Sequence, residues 1–198
     1  MHPQAIAIAG TTVLAGKIAG AERLRRLAEA GHSEYTTLVT GAFLDFWFEN
    51  PTPVIDAKSK TVTLLDGGEK KMTGVTTTFI AKSIGAIIAM PNEATKNQRI
   101  RIAEVEYTGK DLLNTLEEVT DTKWTVINRS TDDAFKDGLE AYKRGDARAF
   151  YLGNIIKLNF DGKGAGYFEE GMQWLDGAVR RQNLKEIAER SMLRSNTP

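Results

Sequence analysis

The stretch from Tyr35 to Asn50, YTTLVTGAFLDFWFEN, places the strongest constraint on the fold of this chain. Its first five residues are rich in β-branched and aromatic side chains, which predicts a buried strand. Thr40, Gly41 and Ala42 interrupt that pattern, and the apolar run that follows predicts a turn of helix. A strand that ends in such a bend exposes backbone at the carboxyl edge of a sheet, where open α/β folds bind ligands. The alternative is that this stretch is only the most hydrophobic strand–helix unit of the core.

The charge and the composition exclude several partners and chemistries. Lys and Arg together number 26, as do Asp and Glu, so the net charge is zero with His neutral. Nucleic acids and acidic membranes are bound by a concentrated positive field, and we expect neither as a partner. The chain has no cysteine, and its two histidines are His2 and His32. Thiol chemistry is therefore excluded, and a histidine triad or a metal site is not expected.

A chain of 198 residues can bury a substantial core, which predicts one domain, or one domain and a small appendage. Residues 19–30 have an amphipathic helical pattern that stops at Gly31. Residues 61–65 and 72–75 predict two strands that pair across an Asp-Gly turn. Residues 175–193 predict a final charged helix.

Lys17 lies just upstream of the first predicted helix, among small and apolar residues. Burial of its amine there would favour the neutral form, because no carboxylate lies within that apolar run. A solvated surface lysine is the alternative. The segment from Gly10 to Lys17 is similar to a phosphate-binding loop, but it is one residue too long. Ile18 also stands where that loop needs a magnesium-binding Ser or Thr, so we reject this interpretation.

Lys17 before an amphipathic helix, followed by YTTLVTGAFLDFWF, resembles the NmrA-like and isoflavone-reductase-like family of atypical short-chain dehydrogenases, and fungal members most of all. The resemblance implies that Lys17 assists proton transfer or positions the nicotinamide ribose. It also implies that Thr40, Gly41, Ala42 and Phe43 lie beside the nicotinamide. The cofactor that it implies is NADPH.

The resemblance covers nearly the whole chain and continues through a helix that carries the Ile84-Gly85 pair. In relatives the part of the chain that corresponds to residues 130–198 builds a variable substrate pocket. By that resemblance Tyr151, Tyr167 and Phe168 are candidates for the wall of the pocket. Aromatic residues in helices are more often core residues, and that alternative stays open.

The fold that the resemblance implies is α/β, with an incomplete NAD(P)-binding Rossmann-type sheet and an α+β substrate-binding region. Residues 1–198 would form a single NmrA-like domain, of which 1–50 are the remnant of the sheet and 51–198 mainly the substrate region. A full-length member begins with a strand and a G-x-x-G-x-x-G turn that seats the pyrophosphate. Too few residues precede Lys17 for that unit, so we expect the N-terminal dinucleotide-binding strands to be missing.

The function implied is an NAD(P)H-dependent reductase that acts on a small aromatic or conjugated secondary metabolite in the cytoplasm. Its partner would be the small-molecule substrate, without nucleic acid or membrane. Two alternatives stay open. One is a catalytically silent binding or regulatory module. The other is a half-enzyme whose sheet is completed by a second copy of the chain or by a different chain.

Overall fold

The computed structural model describes residues 15–162, 166–172 and 175–195. The described helices are α1 (Ala15–Glu29), α2 (Leu44–Glu49), α3 (Thr77–Ala89), α4 (Asn92–Thr95), α5 (Gly109–Thr120), α6 (Thr131–Lys143), α7 (Ala147–Phe160) and α8 (Leu184–Ser195). The described strands are β1 (Thr36–Thr40), β2 (Ala42–Phe43), β3 (Ile55–Asp56), β4 (Thr61–Leu65), β5 (Met72–Val75), β6 (Gln98–Ile102), β7 (Val105–Tyr107) and β8 (Thr125–Arg129). None of these helices is both long enough and apolar enough to cross a bilayer.

The strands form three small sheets, which gives a mixed α/β fold with partial sheets, as predicted. β1 and β6 pair in parallel, with Leu38 opposite Ile100. β5 lies between β2, to which it is parallel, and β7, to which it is antiparallel. β4 lies between β3 and β8. The parallel partner of β1 therefore comes from residues 98–102, well beyond residue 50, and the division of the chain at residue 50 stays a prediction.

Two apolar clusters connect the sheets to the helices. The smaller one joins β6 to α3, through fully buried Ile100 and Ile102 on the strand and Phe79 on the helix. The larger one joins α2, β4 and α5 to the C-terminal helices, with Leu112 and Ile187 fully buried. α3 and α5 form because their apolar residues recur at helical spacing and face these clusters, through Phe79 and Leu112.

The strands at residues 61–65 and 72–75 are confirmed, but their pairing as a hairpin is wrong. β4 and β5 belong to different sheets, and the residues between them form a 3₁₀ turn, Asp66–Gly68. Asp66 and Gly67 both have positive φ angles, of 48° and 80°. The Asp66 carboxylate accepts hydrogen bonds from the backbone N–H and the hydroxyl of Thr131, at 2.9 and 2.8 Å. The turn therefore attaches to the start of α6 instead of folding β5 back onto β4.

Two predicted helix boundaries are also corrected. α1 begins at Ala15, so Lys17 lies inside its first turn and not upstream of it. The final helix begins at Leu184 and not at Leu175. Gly177 has a φ of 78°, which is incompatible with a continuous helix through that segment. Leu175 and Val179 are nevertheless buried in the smaller cluster.

Candidate functional site

The carboxyl end of β1 forms the candidate site, because there the chain bends at Gly41 and continues as β2. Gly41 packs directly against the backbone of β5. A Cβ atom at this position would lie 2.2 Å from the carbonyl oxygen of Thr73, far inside van der Waals contact. The close approach is possible only without a side chain. Gly41 is therefore required by the contact between two strands, whether or not a cofactor lies beside it.

Two aromatic side chains are exposed immediately after this bend. Phe43 is 41% exposed and Phe46 is 54% exposed, whereas Ala42 and Leu44 between them are buried. These two phenylalanines, three residues apart in the sequence, are exposed apolar groups at the strand end. Trp47, the residue after Phe46, is buried and stacks on Phe160, with ring centroids 5.5 Å apart. That stack fixes α2, and with it the direction in which the two exposed rings face.

Asp45 is a buried carboxylate within the apolar run of α2, with 5% of its surface exposed. Its Oδ2 accepts hydrogen bonds from the N–H of Thr77 at 2.8 Å and from the Thr77 hydroxyl at 2.5 Å. Its Oδ1 accepts from the N–H of Phe46 at 3.0 Å. Asp45 therefore ties the strand end to the first turn of α3.

A second buried carboxylate, that of Glu104, reaches the same helix end. Its Oε2 accepts a hydrogen bond from the N–H of Thr76 at 2.8 Å. Thr76 is the N-cap of α3, and its hydroxyl accepts from the N–H of Phe79 at 3.0 Å. Negative groups near a helix N-terminus are stabilised by the unpaired N–H groups and by the helix dipole. The two carboxylates occupy that position, so the N-terminus of α3 is not open to a phosphate group.

Burial raises the pKa of Glu104 above its usual value of 4.5. The hydrogen bonds from Thr76 and Gln182 and the positive charge of Arg190 oppose that rise without cancelling it. The folded state consequently holds the proton more tightly than the unfolded state. The contribution of this group to stability is fully present below pH 4.5 and is lost as the pH rises through the raised value.

We predict that Glu104→Gln makes the free energy of unfolding less dependent on pH. The glutamine keeps an oxygen that accepts from Thr76 but cannot ionise. The free energy of unfolding of the variant minus that of the parent should therefore increase between pH 4.5 and neutrality. Urea unfolding of both proteins at several pH values measures the difference, in which the contributions of all other groups cancel. A difference that stays constant or decreases over this interval would contradict the prediction.

The structure places Lys17 on an exposed part of α1, a helix with no buried residue. The burial that would have favoured its neutral form is absent. Thr40 and Gly41 are half-buried at the strand end, Ala42 is buried and Phe43 is exposed. Of these four residues, Phe43 is therefore the one with an exposed side chain at the strand end.

The three candidate wall residues have different environments. Tyr151 is 43% exposed on α7. The Tyr167 hydroxyl donates to Oε2 of Glu106 at 2.6 Å, and this bond raises the pKa of Tyr167. Phe168 is buried, and its ring lies 5.8 Å from the guanidinium of Arg101. Tyr167 and Phe168 thus have structural contacts, whereas the ring of Tyr151 is exposed.

A groove with a volume of about 650 Å³ opens between α6 and α7. The two helices approach each other closely at Gly138 and Gly153, where a Cβ added to either glycine would lie 3.3 Å from the Cα of the other. Arg129 and Arg144 are among its lining residues. Cavities that bind small molecules have volumes of this order, roughly 300–1,000 Å³. None of the predicted wall residues lines the groove, and the sequence pattern did not indicate it.

The described residues fit one end of a dinucleotide better than the other. The strand end offers half-buried backbone and exposed Phe43 and Phe46, a surface suited to a planar ring such as nicotinamide. A pyrophosphate would need free N–H groups at a helix N-terminus. At the N-terminus of α3, beside this strand end, Asp45 and Glu104 already accept hydrogen bonds from those groups. Over residues 15–162, 166–172 and 175–195, no three His, Cys, Asp or Glu side chains gather as a metal site would require.

The fold resembles that of several solved reductases. An isoflavone reductase superposes with a TM-score of 0.66 at 19% identity, over 85% of this chain and 56% of that one. The complex of leucoanthocyanidin reductase from Vitis vinifera with NADPH gives 0.59 at 15%, over 87% and 57%. AtPrR2 with NADP+ and (+)pinoresinol gives 0.62 at 16%, over 86% and 55%. No protein-family model matches the sequence, and a search of curated proteins found no significant relative.

These likenesses establish the fold, which is that of the isoflavone-reductase-like structures over a little more than half of their length. The predicted resemblance is confirmed at the level of the fold. A nearest likeness to fungal members stays a prediction.

The sequence analysis missed Asp45, Glu104 and the glycine pair of the groove. Asp45 had a detectable signal, since it is the one charged residue between Phe43 and Phe48. Glu104 lies where apolar and charged residues alternate, from Ile100 to Glu106, and gave no such signal. Gly138 and Gly153 lie inside helices α6 and α7, where glycine is unfavourable and marks a close contact.

Proposed function

We propose that this chain is the substrate-side part of a cytoplasmic NAD(P)H-dependent reductase of the isoflavone-reductase-like or NmrA-like type. The substrate would be a small aromatic or conjugated secondary metabolite. The observation that carries the proposal is the exposed aromatic surface at the carboxyl end of β1, in a fold shared with reductases solved with NADPH and NADP+. In such folds this edge of the sheet is where ligands bind.

Each residue of the site has a proposed role. NADPH would supply the hydride. Gly41, Ala42 and Phe43 would form the surface against which the nicotinamide ring lies, with Thr40 beside it. Lys17 would orient the ribose or help transfer the proton. The exposure of Lys17 leaves its amine accessible to a bound cofactor. The pyrophosphate would need donors other than the N–H groups at the start of α3.

The substrate would lie over the exposed rings of Phe43 and Phe46. Of the three candidate wall residues, Tyr151 is the one with the most exposed ring and the one we propose as the contact. Tyr167 and Phe168 would support the wall from behind, through Glu106 and Arg101. A flat apolar surface favours an aromatic or conjugated substrate, because such molecules stack and lose little conformational entropy.

A catalytically silent binding module is the second candidate function. At the described strand end the nearest carboxylate, that of Asp45, is already engaged by Thr77 and Phe46. Its contacts hold the start of α3 at the strand end. This observation favours a protein that binds a dinucleotide or an aromatic ligand without reducing it.

Fluorescence titration with NADPH tests the proposal. We expect a dissociation constant of about 1 µM, which corresponds to about 8 kcal/mol of binding. Lys17→Ala should weaken binding about tenfold, or about 1.4 kcal/mol, and leave the melting temperature unchanged because the side chain is exposed. Leu193→Ala, which removes an exposed apolar side chain from α8, serves as the control and should change neither quantity.

The outcomes separate the two candidates. Binding followed by NADPH oxidation with aromatic enones or ketones supports the reductase. Binding with no turnover supports the silent module. A chain that is folded by circular dichroism and does not bind NADPH at millimolar concentration would contradict the reductase and a silent module that binds a dinucleotide.

A further inference from the structure

The groove between α6 and α7 is preformed, because contacts along its length hold the two helices together. Near the end of α6 the ring of Tyr142 stacks on that of Phe150, with centroids 4.5 Å apart. Near its start Asp132 forms an ion pair with Lys157 of α7 at 2.5 Å. The glycine pair lies between these two contacts. A groove fixed in this way needs little rearrangement to accept a ligand, which favours binding.

The apolar part of the groove consists of small and aliphatic groups. Both helices that form it are described over their whole length, so its concave shape comes from residues that are present. The main chain at the glycine pair is one part of the surface. The apolar side chains that line the groove are those of Pro53, Ala134, Ala141, Ala149, Leu152 and Ile156. Such a surface accepts an apolar body and offers it no hydrogen bond.

Four charged side chains also line the groove, and three of them are in ion pairs. Arg129 pairs with Asp137, and Glu140 pairs with Lys143 at 2.7 Å. The side chain of Arg144 forms no ion pair and no hydrogen bond with any residue of 15–162, 166–172 or 175–195. The hydrogen bond from Lys143 is the main cause that lowers the pKa of Glu140, and the charge of Arg144 adds to it. Each acidic group of the groove is thus matched by another cation, and Arg144 is the positive charge in excess.

The charges just beyond this end of the groove do not cancel that excess. Asp146 is the N-cap of α7, and its Oδ1 accepts from the N–H of Ala149 at 2.9 Å. Arg148, two residues further on, has the opposite charge and is exposed. The two charges balance each other. The groove therefore combines an apolar surface with one available guanidinium.

We propose that this groove binds a small molecule with an apolar body and one anionic group, such as a carboxylate or a sulfonate. The body would lie between the helices, against the alanines and the glycine pair. The anionic group would bind the Arg144 guanidinium, whose planar N–H groups match a carboxylate with two parallel hydrogen bonds. The site is separate from the strand end, because Phe43, Phe46 and Tyr151 do not line it. The inference does not depend on the proposed reductase function.

Nuclear magnetic resonance titration of the ¹⁵N-labelled chain with 2-naphthoate tests the proposal. The amide signals of Gly138 and Gly153 should shift and reach saturation, because both residues lie at the surface of the groove. The amide of the same acid, 2-naphthamide, has the same rings and no charge. It should bind about fivefold more weakly, since it cannot form the ion pair.

Arg144→Gln removes the proposed partner of the anionic group. It should weaken the binding of 2-naphthoate about fivefold and leave that of 2-naphthamide unchanged. Arg148→Gln is the matched control, because it removes the same charge from an exposed arginine that does not line the groove. It should change neither affinity. Circular dichroism shows whether each variant is folded, and Arg144→Ala replaces Arg144→Gln if the latter is not.

Three outcomes would overturn the proposal. The first is a parent chain in which the two glycine signals do not shift with 2-naphthoate. The second is a set of shifts confined to Phe43 and Phe46, which would place the probe at the strand end. The third is an Arg144 variant that loses no more affinity for 2-naphthoate than Arg148→Gln does.

Discussion

Gly41→Ala is expected to destabilise the protein by about 3 kcal/mol, at the upper end of the cost of overpacking. The added methyl group would lie 2.2 Å from the carbonyl oxygen of Thr73 and 2.8 Å from its carbonyl carbon. Both are backbone atoms of a paired strand, so they cannot move aside as a flexible side chain would. Relief of the clash requires β2 to separate from β5. Urea unfolding monitored by tryptophan fluorescence measures the loss.

Gly85→Ala is the matched control for this prediction. Gly85 lies in the exposed interior of α3, and a Cβ there would meet no atom within 4 Å. Alanine is the better helix former, so this variant should gain about 0.5–1 kcal/mol. If Gly41→Ala lost no more stability than a surface substitution, the contact between Gly41 and β5 would not exist as described.

Asp45→Ala should cost about 3 kcal/mol, because hydrogen bonds to a charged group are strong and their loss leaves buried donors unpaired. The substitution removes the acceptor for the N–H and hydroxyl of Thr77 and for the N–H of Phe46. The first turn of α3 should then exchange its amide hydrogens faster than the rest of that helix. Unfolding curves together with hydrogen exchange measure both effects.

Glu118→Ala provides the comparison for Asp45. Glu118 pairs with Lys185 at 2.6 Å, but its side chain is 60% exposed. Exposed ion pairs contribute about 0–1 kcal/mol, so this loss should be several times smaller. Equal losses in the two variants would mean that Asp45 is no more important to the fold than a surface carboxylate.

Local elements were predictable from the sequence because they depend on nearby residues. The capping box at the start of α5 is an example. Thr108 accepts from the N–H of Asp111 at 3.1 Å, and the Asp111 carboxylate accepts from the N–H of Thr108 at 2.9 Å. The helix that follows Phe43 also begins where the apolar pattern predicts it. In each case the residues that decide the structure lie within one turn of each other.

Long-range pairing was not predictable in the same way. The Asp-Gly turn after residue 65 is typical of a hairpin, but Asp66 binds Thr131, which is 65 residues away. No local pattern reports such a partner. The site shows the same division. The bend at Gly41 was visible in the sequence. The carboxylates at the N-terminus of α3, those of Asp45 and Glu104, come from segments on opposite sides of β5, and no local pattern indicates that they meet.

The glycine contact between α6 and α7 determines which part of the groove can vary. Gly138 and Gly153 bring the two backbones together, with Ala134 and Ala149 supplying the carbonyl oxygens that any added side chain would strike. At this contact the groove is consequently lined by main chain, which substitution can hardly reshape. Lining residues outside the contact, such as Arg129 and Arg144, can change without separating the helices. The chemistry of the groove is therefore set by side chains away from the glycine pair, while the glycine pair sets the distance between the helices.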